Sequence, residues 1–172
     1  MALGLAVLAL AAGCGVPSER AAAEPPVDET AILRQQARDD LVRYDEAVAK
    51  ANGGKVVVIP PDWDPSREPP GSIPESTAPA VTVSADGMRL TVTFTGRKDP
   101  AAVPCGSDYS AEAVEGANAV VPVVIGHPHA RDETCTLVGY LRTATLTLNR
   151  PLGKRAVLEV TQGLPVPVKT AS

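Results

Sequence analysis

Two runs of apolar residues that alternate with threonine constrain the fold of this chain more than any other feature of its sequence. Residues 88–95 are MRLTVTFT and residues 141–148 are LRTATLTL. In an extended strand this alternation places apolar side chains on one face and hydroxyls on the other. Asp86-Gly87 precedes the first run and favours a two-residue hairpin turn back to a strand at Val81 and Val83. The carboxy-terminal half is therefore predicted to form half-buried sheets.

Further strands are predicted at 109–114, 119–125, 143–148 and 156–160, with a short edge strand within 164–168. Pro122 has no amide hydrogen, so its strand is expected at a sheet edge or a bulge. Short strands with turns about every 8 to 12 residues are typical of an antiparallel β-sandwich. The predicted fold is mainly β, an immunoglobulin-like sandwich with one amino-terminal helix. The alternative is an α+β fold with the helix packed on a single sheet.

A helical periodicity covers residues 28–54. Apolar side chains recur at spacings of three and four: Leu33, Ala37, Leu41, Tyr44, Val48 and Ala51. Asp28 or Thr30 can cap the start of this helix, and Gly53-Gly54 can end it. The opposite face is charged, so we expect the apolar stripe to cover the core of its own domain rather than a partner protein.

Residues 55–79 are predicted to form a short strand, Lys55–Ile59, and then a proline-rich surface loop. The loop contains Trp63, flanked by aspartates, which could stack on a cell-wall sugar, anchor a protein partner or fold back into the core. Together with Tyr109 and Tyr140, Trp63 is a candidate ligand-binding residue.

The charge balance limits the classes of partner. The chain carries 16 basic and 20 acidic residues, a net charge of -4, and only five aromatic side chains. A phosphate backbone is bound mainly by basic side chains, so nucleic acid is excluded as a partner. A helix needs roughly 20 apolar residues to span a bilayer, and the sequence has no such run.

Potential metal ligands concentrate at His127-Pro128-His129, followed by Asp132 and Glu133. Residues two apart in an extended chain point the same way, so both imidazoles could bind one copper or zinc ion. The alternative is a turn with solvated histidines, and we expect no cofactor.

Signatures of catalysis are missing from the sequence. It contains neither a GxSxG nucleophile elbow nor a glycine-rich phosphate loop. Ser110 and the two histidines could be assigned as a nucleophile and its base, but any secreted domain would allow such an assignment. We therefore expect a protein that is not an enzyme, with an unrecognised hydrolase site as an alternative.

The amino terminus resembles the lipobox signal of bacterial lipoproteins. Residues 1–13 are uncharged and apolar, and they end in Leu10-Ala11-Ala12-Gly13 before Cys14. The resemblance implies cleavage after Gly13 and acylation of Cys14, which would anchor the protein on the extracytoplasmic side of the cell membrane. The family usually has leucine where Ala11 stands and a basic start. An ordinary secretory signal is the alternative.

The cysteine count indicates an oxidising compartment. If Cys14 is lipidated, Cys105 and Cys135 form an even pair, which in an exported protein predicts a disulfide. Closing a loop of about 31 residues would stabilise the fold by about 3 to 4 kcal/mol. Two buried thiols are the alternative.

The chain as a whole is similar to small actinobacterial-type lipoproteins. The likeness rests on the lipobox, on RYDEAVAKANGG in the helix, and on LTVTFTG, PCGSDYSAEAVE, GHPH and CTLVGYLRTATLTLNRPLG in the β-region. It implies a signal peptide (1–13), a lipidated tether (14–27), the helix (28–54), the strand and loop (55–79) and a β-domain (80–172). We expect a non-catalytic binding or scaffolding module whose partners are the membrane and an envelope protein or cell-wall glycan; a copper- or zinc-binding protein is the alternative.

Overall fold

One helix and eight strands make up the part of the chain that this computed structural model describes, residues 28–60 and 80–171. Helix α1 spans Glu29–Ala51. The strands are β1 (Ala80–Val83), β2 (Arg89–Gly96), β3 (Ser107–Glu115), β4 (Ala119–Pro128), β5 (Tyr140–Thr147), β6 (Ala156–Leu158), β7 (Pro165–Val166) and β8 (Val168–Thr170). The predicted signal, Cys14 and Trp63 lie outside the described residues.

The strands form two four-stranded sheets in a sandwich-like arrangement. Their orders are β5-β2-β1-β8 and β3-β4-β6-β7. The mainly β fold with one helix is confirmed, and the single-sheet alternative is wrong. The prediction of purely antiparallel pairing is also wrong, because β1 pairs with β8 and β4 pairs with β6 in parallel. Both parallel pairs join strands distant in sequence, so no hairpin fixes their direction.

The hairpin at Asp86-Gly87 is confirmed. Val83 pairs with Leu90, and the Ser84 N–H donates to the Arg89 carbonyl at 3.0 Å. Gly87 has φ +74°, a left-handed conformation that glycine adopts without strain. This turn fixes which residues of β2 face the core.

Helix α1 forms a third layer on the outer face of the β3-β4-β6-β7 sheet. The predicted stripe packs there: Ala37, Leu41 and Tyr44 are buried, while Leu33 and Val48 are partly buried. The Asp28 carboxylate caps the start of the helix, because it accepts hydrogen bonds from the N–H groups of Thr30 and Ala31, both at 3.1 Å. The helix ends at Ala51, and the capping residue after it, Asn52, has a left-handed backbone conformation. The apolar face of the helix therefore packs against the sheet of its own domain.

Strand β4 is buried on both faces because it lies between the helix and the other sheet. Ala119, Val121 and Val123 belong to the core beneath α1, whereas Val120 and Val124 belong to the core between the sheets. A strand covered on both sides is apolar at consecutive positions rather than alternate ones. This explains the continuous apolar run in β4.

Two of the local predictions for strands are corrected by the structure. Pro122 is not in an edge strand, since β4 lies between β3 and β6. However, β6 pairs only with Ala119 and Val120, so Pro122 is not required to donate to it. Residues 55–60 form no strand, and Val58 is instead buried against the helix core.

The predicted edge strand within 164–168 is divided by Pro167. Before this proline, β7 pairs with β6; after it, β8 pairs with β1 of the other sheet. Proline cannot continue a ladder as a donor, so the chain leaves one sheet and joins the next. The two sheets are thus connected at this side by a single residue.

A fully buried acid, Asp40, faces the turn of residues 159–164. Its Oδ1 accepts a hydrogen bond from Arg43, and its Oδ2 has no partner in the described part of the chain. Gly163, at φ +71°, lies so close that a Cβ there would be 2.7 Å from Oδ1. Burial raises the pKa of Asp40 to about 6; Arg43 opposes this shift, and Glu159 and Asp39 add to it.

A second ion pair braces the turn between β5 and β6. Arg155 Nη1 lies 2.7 Å from Glu115 Oε2, and both side chains are almost fully buried. Burial on its own would raise the pKa of Glu115, but hydrogen bonds from the Asn149 N–H and from Arg155 outweigh it and lower that pKa. The ionised pair therefore ties the end of β3 to this turn.

Candidate functional site

The disulfide between Cys105 and Cys135 is present and braces one end of the sandwich. The two residues are 30 positions apart, with an S–S distance of 2.05 Å. Cys105 precedes β3, and Cys135 lies in the connection from β4 to β5. The Cys105 N–H also donates to Glu133 Oε2 at 2.7 Å, which ties the same two segments together a second time. We call this region the disulfide end.

The two histidines at this end have different partners. His129 donates its Nδ1–H to the Ala101 carbonyl at 2.8 Å, and its Nε2 is 3.7 Å from Glu133 Oε1. His127 Nε2 is 2.8 Å from Ser110 Oγ. The structure therefore does not bring the imidazoles to one common point.

A group of three potential metal ligands exists at the disulfide end, but the histidines are not part of it. It consists of Cys105, Glu133 and Cys135, whose ligand atoms all lie within 4.8 Å of one another. Both sulfurs are already bonded to each other in the disulfide. Thiolates, not disulfide sulfurs, are the usual sulfur ligands of zinc and copper.

Tyr109, a predicted ligand-binding residue, is engaged by its own chain. Its hydroxyl accepts a hydrogen bond from the Arg97 N–H at 2.6 Å. Its ring packs edge-on against Phe94, with the ring centroids 4.9 Å apart. Gly96 lies against the same hydroxyl, where a Cβ would come within 2.6 Å. Tyr109 thus holds the ends of β2 and β3 together.

Tyr140, the other described candidate, is exposed at the start of β5. Lys98 Nζ lies 5.9 Å from the centroid of its ring. Unlike Tyr109, Tyr140 presents a large part of its surface to solvent and stands next to other exposed apolar side chains. It belongs to a surface that the sequence analysis did not identify.

That surface is the segment Leu137–Leu141, which we call the apolar segment. The side chains of Leu137, Val138, Tyr140 and Leu141 are 99%, 58%, 43% and 80% exposed. Residues 134–141 contain no charge. Four large apolar side chains in five residues, all exposed, form a patch of the kind that marks interaction sites.

Strand β5 is the edge strand of its sheet, and its outer edge faces the other sheet. β5 pairs with β2 on one side, while β3 of the other sheet runs alongside it without forming a ladder. Arg142 of β5 lies over the Tyr109 ring of β3 at 5.8 Å, and the Cys105–Cys135 disulfide joins the segments that precede these two strands. The apolar segment therefore offers a partner its exposed side chains rather than a free strand edge.

Comparison of this chain with protein-family models, with curated proteins and with solved structures gives no match. Within the described residues, no helix has the length and apolar character needed to span a membrane. The fold and the site define a β-protein that is braced by a disulfide and carries an exposed apolar segment.

Proposed function

We propose that the protein is a lipid-anchored extracytoplasmic envelope protein that binds a protein partner through the apolar segment and carries out no reaction. The observation that carries this proposal is the exposure of the Leu137 and Leu141 side chains in one short uncharged segment. Burying one such side chain is worth about 1.5 to 3 kcal/mol. A partner that covers the segment would remove this apolar surface from water.

The chemistry of the segment favours a protein over a glycan. Sugar rings are held by aromatic platforms together with polar groups, whereas the exposed side chains here are mostly aliphatic. Apolar side chains of a polypeptide partner could pack against Leu137 and Leu141 and remove them from water.

The proposed location of the protein rests on the lipobox resemblance and is supported by the disulfide. Disulfides persist in oxidising compartments, which agrees with export. Acylation at Cys14 would hold the chain at the membrane, and residues 15–27 could reach about 45 Å when extended. The disulfide end would then meet partners within the envelope.

The intact mass of the native protein from the membrane fraction tests the proposed location and anchor. We expect a chain that begins at Cys14 with thioether-linked acyl groups of the palmitoyl type, and a gain of two protons on reduction of the Cys105–Cys135 disulfide. A soluble chain that retains residues 1–13 and carries no lipid would contradict the anchor.

Photo-crosslinking tests the binding surface. Leu137 is replaced by benzoylphenylalanine in the full chain, and Val42, a 59% exposed residue of α1, is replaced in a matched control. We expect the probe at 137 to capture a discrete protein species on irradiation of intact cells and the probe at 42 to capture far less. Equal or absent capture would contradict the proposed surface.

The contact between Ser110 Oγ and His127 Nε2 favours hydrolysis as a second candidate function. A serine nucleophile needs a base, a group that orients the base, and donors for the oxyanion. Within residues 28–60 and 80–171, His127 has no second hydrogen-bond partner that could orient its ring. The pair is also exposed to water, so we rank this function below binding.

A further inference from the structure

We propose that reduction of the Cys105–Cys135 disulfide creates a zinc site at the disulfide end. Its ligands are the two thiolates, the Glu133 carboxylate and the His129 imidazole. The disulfide form binds no zinc, so the cysteine pair acts as a redox switch for the metal. This site is separate from the apolar segment and goes beyond the binding function proposed above.

Three of the four donor atoms already lie together. The sulfurs of Cys105 and Cys135 and a carboxylate oxygen of Glu133 are all within 4.8 Å of one another. Zinc binds thiolate sulfur at about 2.3 Å and carboxylate oxygen at about 2.0 to 2.2 Å, so ligand atoms around one tetrahedral zinc ion are about 3 to 4 Å apart. Once the disulfide is reduced, a small separation of the sulfurs admits the ion.

His129 supplies the fourth donor. Its Nδ1–H is donated to the Ala101 carbonyl at 2.8 Å, which leaves Nε2 as the unprotonated nitrogen of the neutral ring. Nε2 lies 3.7 Å from Glu133 Oε1, so two acceptor atoms face each other across a gap that a cation can bridge. A backbone carbonyl on the other ring nitrogen is usual for metal-binding histidines, because it fixes the tautomer and the ring orientation. The ring is adjacent to the group of three and moves towards the sulfurs when zinc binds.

The disulfide is accessible to a reductant and to a metal ion. A cavity of about 270 Å³ lies beside it and is lined by Cys105, Cys135 and Glu133. The backbone of Cys105 has φ +61°, in the left-handed region that residues other than glycine rarely adopt. Strained or exposed disulfides are reduced more readily than buried, unstrained ones. A dithiol reductant can therefore open this disulfide.

The charges that line the cavity suit a divalent cation only after reduction. Besides the cysteines, the ionisable side chains in its wall are two acids and two bases: Glu29, Glu133, Arg97 and Arg131. Their formal charges cancel, so the disulfide form offers a divalent cation no net attraction. Reduction adds two thiolates, whose combined charge balances that of one zinc ion. The electrostatics of the cavity therefore favour zinc in the reduced state alone.

The switch is a balanced two-electron exchange. A dithiol reductant transfers two electrons and two protons to the disulfide, which gives the two thiols and leaves the reductant as a disulfide. Zn²⁺ then forms two Zn–S bonds and displaces both thiol protons to water. Reoxidation by a disulfide oxidant removes two electrons from the thiolates, forms the S–S bond again and releases Zn²⁺. In the oxidising compartment proposed above, the disulfide is the resting form.

Zinc titration of the oxidised and the reduced chain tests the switch. The full chain with Cys14→Ser keeps Cys105 and Cys135 as its only cysteines, and a phosphine reductant adds no competing thiol. Competition with a chromophoric chelator measures the affinity for Zn²⁺, and circular dichroism on heating measures Tm. We expect the reduced chain to bind one zinc ion at least about 100-fold more tightly than the oxidised chain, which offers no thiolate. Zinc should raise the Tm of the reduced chain alone.

Variants of the reduced chain distinguish a built site from zinc held loosely by two thiols. Glu133→Gln and His129→Gln each remove one donor. Asp132→Asn and His127→Gln are the matched controls, since they change neighbouring residues of the same kind. We expect each donor variant to bind zinc at least about tenfold more weakly and each control to bind it as the parent does. Equal affinity of the reduced and oxidised chains, or donor variants that bind zinc as tightly as their controls, would overturn the proposal.

Discussion

Replacing Asp40 by asparagine is expected to remove a pH-dependent loss of stability. In the folded chain, burial raises the pKa of this carboxyl from 3.8 to about 6. The folded chain therefore holds the proton more tightly than the unfolded chain, and stability falls as pH rises from about 4 to about 6. At 1.36 kcal/mol for each pH unit, the loss above pH 6 amounts to about 3 kcal/mol.

The asparagine side chain has nearly the same shape and keeps an oxygen that can accept from Arg43. It carries no charge, so the cost of burying an ionised carboxylate disappears. Near pH 4, where Asp40 is protonated in the folded chain, Asp40→Asn and the parent should have similar stability. At pH 7.5 the variant should be more stable by up to about 3 kcal/mol, because the raised pKa of Asp40 already includes the opposing effect of Arg43.

Urea unfolding followed by far-UV circular dichroism between pH 4 and 8 measures this difference. Asp132→Asn is the matched control, because Asp132 is exposed and does not contribute to the raised pKa of Asp40. The difference between that control and the parent should stay nearly constant with pH. If Asp40→Asn proves less stable than the parent at pH 7.5 by a greater margin than at pH 4, the reasoning is refuted, because the Arg43 ion pair would then outweigh the burial of Asp40.

Three further outcomes are expected. Arg155→Met leaves the carboxylate of Glu115 buried without its cation. The variant should have an unfolding free energy about 3 to 5 kcal/mol lower in urea titrations. A loss below about 1 kcal/mol would contradict the importance of this ion pair. Replacing both Cys105 and Cys135 by alanine should cost about 3 to 4 kcal/mol in the same assay, and unchanged stability would be inconsistent with a constraining disulfide. A fluorophosphonate probe should leave Ser110 unlabelled, as judged by peptide mass spectrometry, and stoichiometric labelling would argue for a hydrolase.

Local periodicity in the sequence was sufficient to predict the helix and most strands. The stripe from Leu33 to Val48 and the alternation in β2 and β5 each follow from the faces that those elements bury. The parallel pairs could not be predicted in this way. They depend on which distant strands meet, and neither β1 with β8 nor β4 with β6 is joined by a short turn.

The candidate site could be predicted only in part. The Cys105–Cys135 disulfide followed from the cysteine count and the expected compartment. The apolar segment was missed because Leu137 and Leu141 look like core residues in a sequence, and only the tertiary structure shows that nothing described covers them. The predicted pairing of His127 and His129 was wrong because each ring binds a group of its own: His127 contacts Ser110, whereas His129 binds the Ala101 carbonyl.

The crossing at Pro167 affects when the protein can fold. Because β7 and β8 complete different sheets, the β3-β4-β6-β7 sheet lacks its last strand until Val166 is present, and the other sheet lacks a strand until Thr170 is present. β8 must also find β1 across most of the β-region, and contacts of such long sequence separation form slowly. Closure of the sandwich is therefore expected late in folding, after the local hairpins have formed.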